Sequence, residues 1–140
     1  MQANAVSQIA PARRALVVED DEQTAYLLEF LLERAGFDVT VARSGRDAED
    51  VLATSSPLDI ILLDLVLPHV DGFQLLMQIR ERGRYGNLPV VVLSAKSLEA
   101  DVVRAFELGA DDFVSKPFRP AELIARLNRL TERRAPARDL

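Results

Sequence analysis

The 140 residues are 49% apolar and 28% charged, which fits one globular domain and excludes a disordered chain. The absence of cysteine excludes disulfides and thiolate metal sites, and a formal net charge of −5 argues against direct nucleic-acid binding, which needs a clustered positive face. Apolar runs reach only four residues, far below the roughly 18 of a membrane-spanning helix, and the first twelve residues carry no secretory signal, so we expect a cytoplasmic protein that does not bind membranes.

The first two strand–helix units are indicated by short apolar runs and helical spacing. Residues 15–18 form a valine-rich run that predicts a strand, and the alternating residues 37–41 predict a half-covered edge strand. Gly36 stands where the C-cap glycine of the intervening helix is expected, and Ser44 can cap the next helix. The apolar residues that recur at helical spacing in the first helix are Tyr26, Leu27, Phe30 and Leu31.

Three further units follow in the same order. Apolar runs at 60–63, 90–93 and 113–114 predict strands, and Pro120 suits the first turn of the last helix. The third helix is predicted to be buried through Phe73, Leu76 and Ile79, and the inner face of the fifth carries Leu123, Ile124, Leu127 and Leu130. The spacing of Leu98, Val102, Ala105 and Phe106 predicts the fourth helix, which Gly109 closes.

The alternation of strands and helices predicts the fold class. Continuous apolar strands that are buried on both faces, separated by amphipathic helices, indicate an α/β protein with a five-stranded parallel sheet covered by helices on each side. We expect one domain over residues 13–131, a flexible N-terminal tail over 1–12 and a C-terminal tail over 132–140.

Polar residues gather where the predicted strands end. In open α/β sheets, ligands bind beyond the carboxyl ends of the strands. The residues at these ends are Glu19, Asp20 and Asp21 after the first strand, Asp64 after the third, Ser94 after the fourth and Lys116 after the fifth. Taken alone, Asp21 is typical of a helix cap, Ser94 of a turn and Lys116 of a solvated surface. Their coincidence at four strand ends predicts one polar site.

The residue types at this edge point to magnesium and phosphoryl chemistry. Neighbouring carboxylates repel one another, and Mg²⁺, which prefers oxygen ligands, supplies the missing positive charge. Asp20 and Asp64 suit direct ligation, with Glu19 acting through water. One aspartate could attack phosphorus, while Lys116 and the metal neutralise the phosphoryl oxygens and Ser94 donates a hydrogen bond to one of them.

Four stretches resemble the signature sequences of the receiver domains of bacterial two-component systems. They are LVVEDDE (16–22), LLDLVLPHVDG (62–72), VVLSA (91–95) and GADDFVSKPF (109–118). The resemblance covers roughly residues 13–131 and keeps the family's motif order. It implies a flavodoxin-like sheet with strand order 2-1-3-4-5, in which the first and third strands lie side by side.

The resemblance also implies a role for each matching residue. It makes Asp64 the phosphoacceptor, and it makes Asp20 a direct Mg²⁺ ligand with Glu19 as second acidic partner. The metal would also take the backbone carbonyl of Val66. The catalytic set is Asp64, Ser94 and Lys116, the last followed by a cis Lys116–Pro117 bond, and the switch pair is Ser94 and Phe113.

The implied function is a phosphorylation switch. A histidine kinase or a histidine phosphotransfer protein would phosphorylate Asp64, and the face formed by the fourth helix, fifth strand and fifth helix would signal to a downstream protein. We expect a single-domain regulator that is a monomer or weak dimer, and not an enzyme beyond its own phosphorylation and dephosphorylation. The alternative is the receiver half of a longer DNA-binding regulator.

Several features bear on the alternatives. Asp101, Arg104, Asp111, Asp112, Glu122 and Arg126 match the dimer face of DNA-binding regulators. Val102 and Asn128 stand where those proteins carry basic partners, which argues against their dimer. A Mg²⁺-dependent phosphatase of the haloacid-dehalogenase kind would need a second aspartate at the position of Val66. A flavin carrier would need a phosphate loop in place of Glu19, Asp20 and Asp21.

Overall fold

A computed structural model of the chain describes residues 12–54, 57–81 and 86–139, with side chains as far as residue 132. Five strands alternate with five helices. The elements are β1 (Arg13–Val18), α1 (Glu22–Arg34), β2 (Phe37–Ala42), α2 (Gly45–Ala53), β3 (Ile60–Leu63), α3 (Gly72–Glu81), β4 (Val90–Ser94), α4 (Glu99–Glu107), β5 (Asp112–Ser115) and α5 (Pro120–Asp139). Within the described ranges, none of these helices combines the length and apolar character needed to cross a membrane.

The strands form one parallel sheet in the order β2-β1-β3-β4-β5, which confirms the predicted fold class and strand order. The register aligns the ends of the two central strands, because Val18 lies opposite Leu63 and also opposite Ala42. Consequently the residues that follow β1 and β3 emerge side by side at the carboxyl edge of the sheet.

The core lies on both faces of the sheet. Alternate residues of each strand point to opposite faces, so Leu16 and Val18 pack with α2 and α3 while Ala15 and Val17 pack with α1 and α5. β3 is buried along its whole length, and the edge strand β2 alternates between buried and exposed residues. Asp64 therefore follows a fully enclosed strand, whereas Phe113 and Lys116 lie in and just after β5, the other edge strand.

Side-chain caps stabilise the starts of two helices. The Asp21 carboxylate accepts a hydrogen bond from the Thr24 amide at 2.9 Å and caps α1. The Ser44 hydroxyl accepts one from the Asp47 amide at 3.0 Å and caps α2, as predicted. Gly36, with a φ of 96°, supplies the left-handed residue just beyond α1.

The apolar residues whose spacing predicted α1 are mostly not the ones that it buries. Tyr26, Leu27 and Phe30 are 73%, 43% and 48% exposed. The buried residues are Ala25, Leu28 and Leu32, which repeat at helical spacing as well. The small Ala25 side chain lies against the sheet, and the aromatic rings, which are much bulkier, remain on the solvent side.

The apolar residues whose spacing predicted α4 are likewise mostly not buried. Ala105 is the buried residue of this helix, while Leu98 and Phe106 are 77% and 46% exposed and Val102 is half-buried. The helix places its smallest apolar side chain against the sheet, which leaves the larger ones outside. The predicted inner residues of α3 and α5 are buried, apart from a half-buried Ile124.

The last helix is longer than the sequence suggested. α5 continues to Asp139, whereas the C-terminal tail was predicted to begin at residue 132. The predicted N-terminal tail lies outside the described residues, except for Ala12. The domain boundaries at residues 13 and 131 therefore stay predictions.

Candidate functional site

Three carboxylates meet at the carboxyl edge of the central strands. Glu19 and Asp20 follow β1, and Asp64 follows β3. The backbone amide of Asp64 donates to the carbonyl of Val18 at 3.0 Å, which extends the strand pairing by one residue. Carboxylate oxygens of Glu19, Asp20 and Asp64 all lie within 4.8 Å of one another. The structure thus brings together the three acidic residues that the sequence indicated.

Lys116 joins the cluster from the end of β5. Its Nζ atom lies 2.6 Å from Glu19 Oε1 and 3.0 Å from Asp64 Oδ2. Its backbone amide donates to the carbonyl of Ser94 at 3.0 Å, and the Lys116–Pro117 peptide bond is cis, as the resemblance implied. In addition to Asp64, the lysine therefore contacts Glu19, a partner that the sequence did not suggest.

Burial sets the protonation behaviour of this ion pair. Glu19 is 2% exposed and Asp64 is 6% exposed. Burial raises the pKa of Glu19, and the nearby Asp64 charge adds to this rise, against the hydrogen bonds from Lys116 and the Asp21 amide. Burial alone would lower the pKa of Lys116, but its hydrogen bonds to Glu19 and Asp64 outweigh this and raise it. The lysine therefore stays protonated at neutral pH.

The donor set fits Mg²⁺. Three carboxylates face a single ammonium group, so two negative charges are left uncompensated, which a divalent cation would balance. Asp20 is exposed, and its carboxylate has no hydrogen-bond or ion-pair partner within the described part of the chain. Mg²⁺ typically takes one or two carboxylates together with waters and phosphate oxygens, and an open, unpaired carboxylate at the rim suits that coordination.

The loop between β3 and α3 carries Asp64 into the site. Asp64 Oδ1 accepts a hydrogen bond from the Val66 amide at 3.1 Å. The Gly72 amide donates to the carbonyl of Leu65 at 3.1 Å rather than to that of Val66, which leaves the role of the Val66 carbonyl as a metal ligand a prediction. Across the tip of the loop, the Val70 amide donates to the Pro68 carbonyl at 2.8 Å, and the residue between them has a φ of 65°.

The first residues of α2 and α3 pack closely against this loop. A Cβ atom on Gly72 would lie 2.4 Å from the Leu65 Cα atom, so only glycine allows this approach of α3 to the loop. A Cβ atom on Gly45, at the start of α2, would lie 2.6 Å from the Val70 Cβ atom. The packing on both sides leaves the segment after Asp64 little room to move.

The predicted switch residues belong to β4 and β5, which lie on the side of β3 opposite to β1. Ser94 ends β4 and is fully buried, and its hydroxyl accepts a hydrogen bond from the Lys96 amide at 3.1 Å. Across the described residues, that hydroxyl forms no hydrogen bond to Asp64. Phe113, in β5, is half-buried and packs against the core on the side of α3 and α4. The structure therefore places Ser94 at the predicted edge, and its contact with the acidic cluster stays a prediction.

Arg43 is a site residue that the sequence reasoning missed. It directly follows β2, and its Nη2 atom donates to the backbone carbonyl of Asp20 at 3.0 Å. The prediction considered polar residues after four of the strands and left out the second. Because β2 neighbours β1 in the sheet, the same rule applied to β2 would have identified Arg43.

The charged residues that resemble a dimer face are engaged within the chain. Asp112 lies 2.9 Å from Arg126 and 3.7 Å from Arg129. Asn128 accepts a hydrogen bond from Arg13 at 2.7 Å. The Arg13 guanidinium also stacks on the ring of Phe37, 4.1 Å from the ring centroid. Asn128 thus fastens α5 to β1.

Comparison with known proteins gives a consistent picture. A family model described as the response regulator receiver domain matches residues 15–128. The receiver domain of a Francisella response regulator is 34% identical, with a TM-score of 0.80, over 86% of this chain and 98% of that one. The receiver domain of a sensor histidine kinase from Pseudomonas aeruginosa, which has a magnesium ion coordinated in its active site cleft, is 30% identical, with a TM-score of 0.79, over 86% and 98%. The receiver domain of a signal transduction histidine kinase from Syntrophus aciditrophicus is 34% identical, with a TM-score of 0.79, over 86% and 91%.

Proposed function

The chain belongs to the response regulator receiver domain family, and from this we propose that Asp64 accepts a phosphoryl group while Asp20, Asp64 and Glu19 hold Mg²⁺. The observation that carries the proposal is the cluster of three carboxylates with Lys116 bonded to Glu19 and Asp64. The magnesium ion in the cleft of the Pseudomonas aeruginosa receiver domain supports the choice of metal. The Val66 carbonyl would complete the protein ligands.

The chemistry is phosphoryl transfer to a carboxylate. An oxygen of Asp64 attacks phosphorus, a P–O bond forms, and the P–N bond to the donor histidine breaks. Mg²⁺, when bound, neutralises the charge on the phosphoryl oxygens. Lys116, already 3.0 Å from Asp64 Oδ2, neutralises another part of that charge, and the amide of Val66 holds the second Asp64 oxygen in place.

Phosphorylation would be relayed by Ser94 and Phe113. New phosphoryl oxygens favour a state in which the Ser94 hydroxyl gives up its contact with the Lys96 amide and donates to the phosphoryl group. Phe113, which is half-buried, then fills the space beside Ser94. The face formed by α4, β5 and α5 changes shape, as a population shift between two existing states.

Receiver domains partner with histidine kinases, and we propose a histidine kinase or a histidine phosphotransfer protein as the phosphoryl donor. The downstream target would be a protein that docks on the α4–β5–α5 face, with the chain acting in the cytoplasm as a single-domain regulator. The pairing of Asp112 with Arg126 and of Asn128 with Arg13 supports a monomer or weak dimer. A receiver half of a longer DNA-binding regulator is the alternative.

Intact-mass spectrometry after incubation with acetyl phosphate tests this function. The wild type should gain one phosphoryl group in the presence of Mg²⁺ and none when the metal is chelated. Asp64→Asn should gain none, while Asp38→Asn, which changes an exposed carboxylate on β2, should behave as the wild type. An adduct that survives Asp64→Asn, or one that forms without the metal, would contradict the proposed chemistry.

A further inference from the structure

Asp20 is held differently from the other two acidic residues of the cluster. Glu19 and Asp64 are buried and share Lys116. The Asp20 carboxylate is exposed and has no side-chain partner in the part of the chain that the structure describes. The position of this carboxylate therefore depends on how firmly its backbone is held.

The backbone of the β1–α1 loop is held by three hydrogen bonds besides the one that the Asp21 carbonyl accepts from the Ala25 amide at the start of α1. The Glu19 amide donates to the Ala42 carbonyl at 3.0 Å, and the Asp21 amide donates to Glu19 Oε2 at 3.1 Å. The third bond is made to Asp20 itself, whose carbonyl accepts from Arg43 Nη2 at 3.0 Å. Of the three, the Arg43 bond is the one that can be removed without changing a residue of the acidic cluster.

The backbone on both sides of Arg43 is held in place. The preceding residue, Ala42, ends β2 and pairs with Val18 of β1. The following residue, Ser44, caps α2. The Arg43 backbone is therefore held on both sides, and its exposed guanidinium links the β2–α2 loop to the β1–α1 loop.

We propose that Arg43 is a positioning residue for the magnesium site, which holds the Asp20 carboxylate ready for the metal through the Asp20 carbonyl. The inference rests on the proposed role of Asp20 as a Mg²⁺ ligand. A purely electrostatic effect has the opposite sign, because a guanidinium beside the site repels Mg²⁺ and its removal would tighten metal binding. The direction of the change thus separates positioning from charge.

The test is calorimetric titration of the metal-free full-length chain with MgCl₂. Arg43→Ala should weaken Mg²⁺ binding by about 3- to 10-fold, the range expected for one lost hydrogen bond. Arg46→Ala removes another exposed arginine one turn of chain away in α2 and should leave the affinity unchanged or slightly tighter. Arg43→Lys keeps the charge and one donor, and it should recover part of the loss.

A second measurement reports on the loop without the metal. Amide hydrogen exchange at Asp20 and Asp21 in metal-free protein should be faster in Arg43→Ala than in the wild type and unchanged in Arg46→Ala. Salt screens the lost charge, so the weakening of Mg²⁺ binding by Arg43→Ala should be at least as large at about 0.5 M NaCl.

Unchanged or tighter Mg²⁺ binding by Arg43→Ala, with exchange at Asp20 unaltered, would overturn the inference. Asp20→Asn serves as the reference for the proposed function. If Asp20→Asn abolishes Mg²⁺ binding and Arg43→Ala does not weaken it, the positioning role alone fails. If Asp20→Asn itself leaves the affinity unchanged, the ligand role of Asp20 fails, and with it the basis for the inference.

Discussion

Helices α3 and α4 lie beside the loop that follows Asp64 and have almost equal lengths, ten and nine residues, but the fold holds them very differently. Five residues of α3 are buried, among them Phe73 and Ile79, whereas α4 buries Ala105. The Asp71 carboxylate accepts a hydrogen bond from the Phe73 amide at the start of α3. Leu98 at the start of α4 makes no such bond.

In the described part of the chain, α4 makes two polar side-chain contacts, each through an exposed basic residue. The Arg104 guanidinium lies 4.2 Å from the ring centroid of Phe73, and Lys96 pairs with Asp101 at 3.6 Å. Exposed ion pairs contribute little to stability, and a helix with few buried apolar contacts belongs to the part of a protein that opens most easily. The comparison indicates a fixed side of Asp64 that includes α3 and a movable side that includes α4.

The largest expected effect comes from a matched pair of truncations. Phe73 in α3 is 2% exposed, and Phe106 in α4 is 46% exposed. Phe73→Ala should lower the free energy of unfolding by about 3–5 kcal/mol, because it leaves a cavity in the core. Phe106→Ala should lower it by less than about 1 kcal/mol. Urea unfolding of both variants gives the two values, and equal losses would contradict the division into fixed and movable sides.

A smaller effect is expected at the start of α3. Gly72→Ala would place a methyl group 2.4 Å from the Leu65 Cα atom, and the backbone must shift to admit it. The free energy of unfolding should fall by about 1–3 kcal/mol, as for other overpacked sites. Mg²⁺ affinity should fall as well, because the displaced loop carries Asp64. Gln74→Ala, an exposed position on the same helix, should change neither quantity, and a similar loss there would show that the close contact is not the cause.

The missing cap of α4 offers a stabilising test. Leu98 has extended backbone angles, φ −64° and ψ 155°, that suit a capping side chain. Leu98→Ser should raise the free energy of unfolding by about 0.5–1 kcal/mol and slow amide exchange in the first turn of α4. Val103→Ser makes a similar change at an exposed position inside the helix and should not stabilise. Equal exchange rates in wild type and Leu98→Ser would mean that α4 is already held at its start.

The smallest effect is expected from Glu19, a buried carboxyl group whose ionised form is disfavoured by burial. Burial raises the pKa of Glu19. A carboxyl group with a raised pKa in the folded state adds stability below its unfolded pKa and loses that contribution as the pH rises through the folded value. Glu19→Gln keeps an acceptor for Lys116, so without metal its stability relative to the wild type should increase from acidic towards neutral pH. Thermal unfolding in EDTA between pH 4 and 7.5 measures this difference.

With Mg²⁺ bound, the wild type should become more stable relative to Glu19→Gln at neutral pH. The wild type gains stability from bound metal by mass action, and Glu19→Gln, which lacks one acidic partner of the ion, should gain less. A constant difference between the two proteins across the pH range would contradict the raised pKa of Glu19. The same gain from Mg²⁺ in both proteins would contradict its part in the metal site.

The acidic site was predictable because its signal is local. A polar residue directly after a buried apolar run lies at the carboxyl edge of a parallel sheet, so Glu19, Asp20, Asp64 and Ser94 could be placed from their positions in the chain. The inner faces of α1 and α4 were not predictable in this way. In α1, Tyr26 and Phe30 repeat at helical spacing just as Leu28 and Leu32 do, and periodicity does not say which of two stripes faces the sheet.

The sequence by itself determined the order of strands and helices, the parallel sheet and the set of polar residues at its edge. Apolar runs, helical spacing and the polar or turn residues that end each element can all be read from short stretches of the chain. Only the tertiary structure decided the contact of Lys116 with Glu19 as well as Asp64, the bond from Arg43 to the Asp20 carbonyl and the loose attachment of α4. These features depend on distances between residues far apart in the chain, which are set by how strands and helices pack across the sheet.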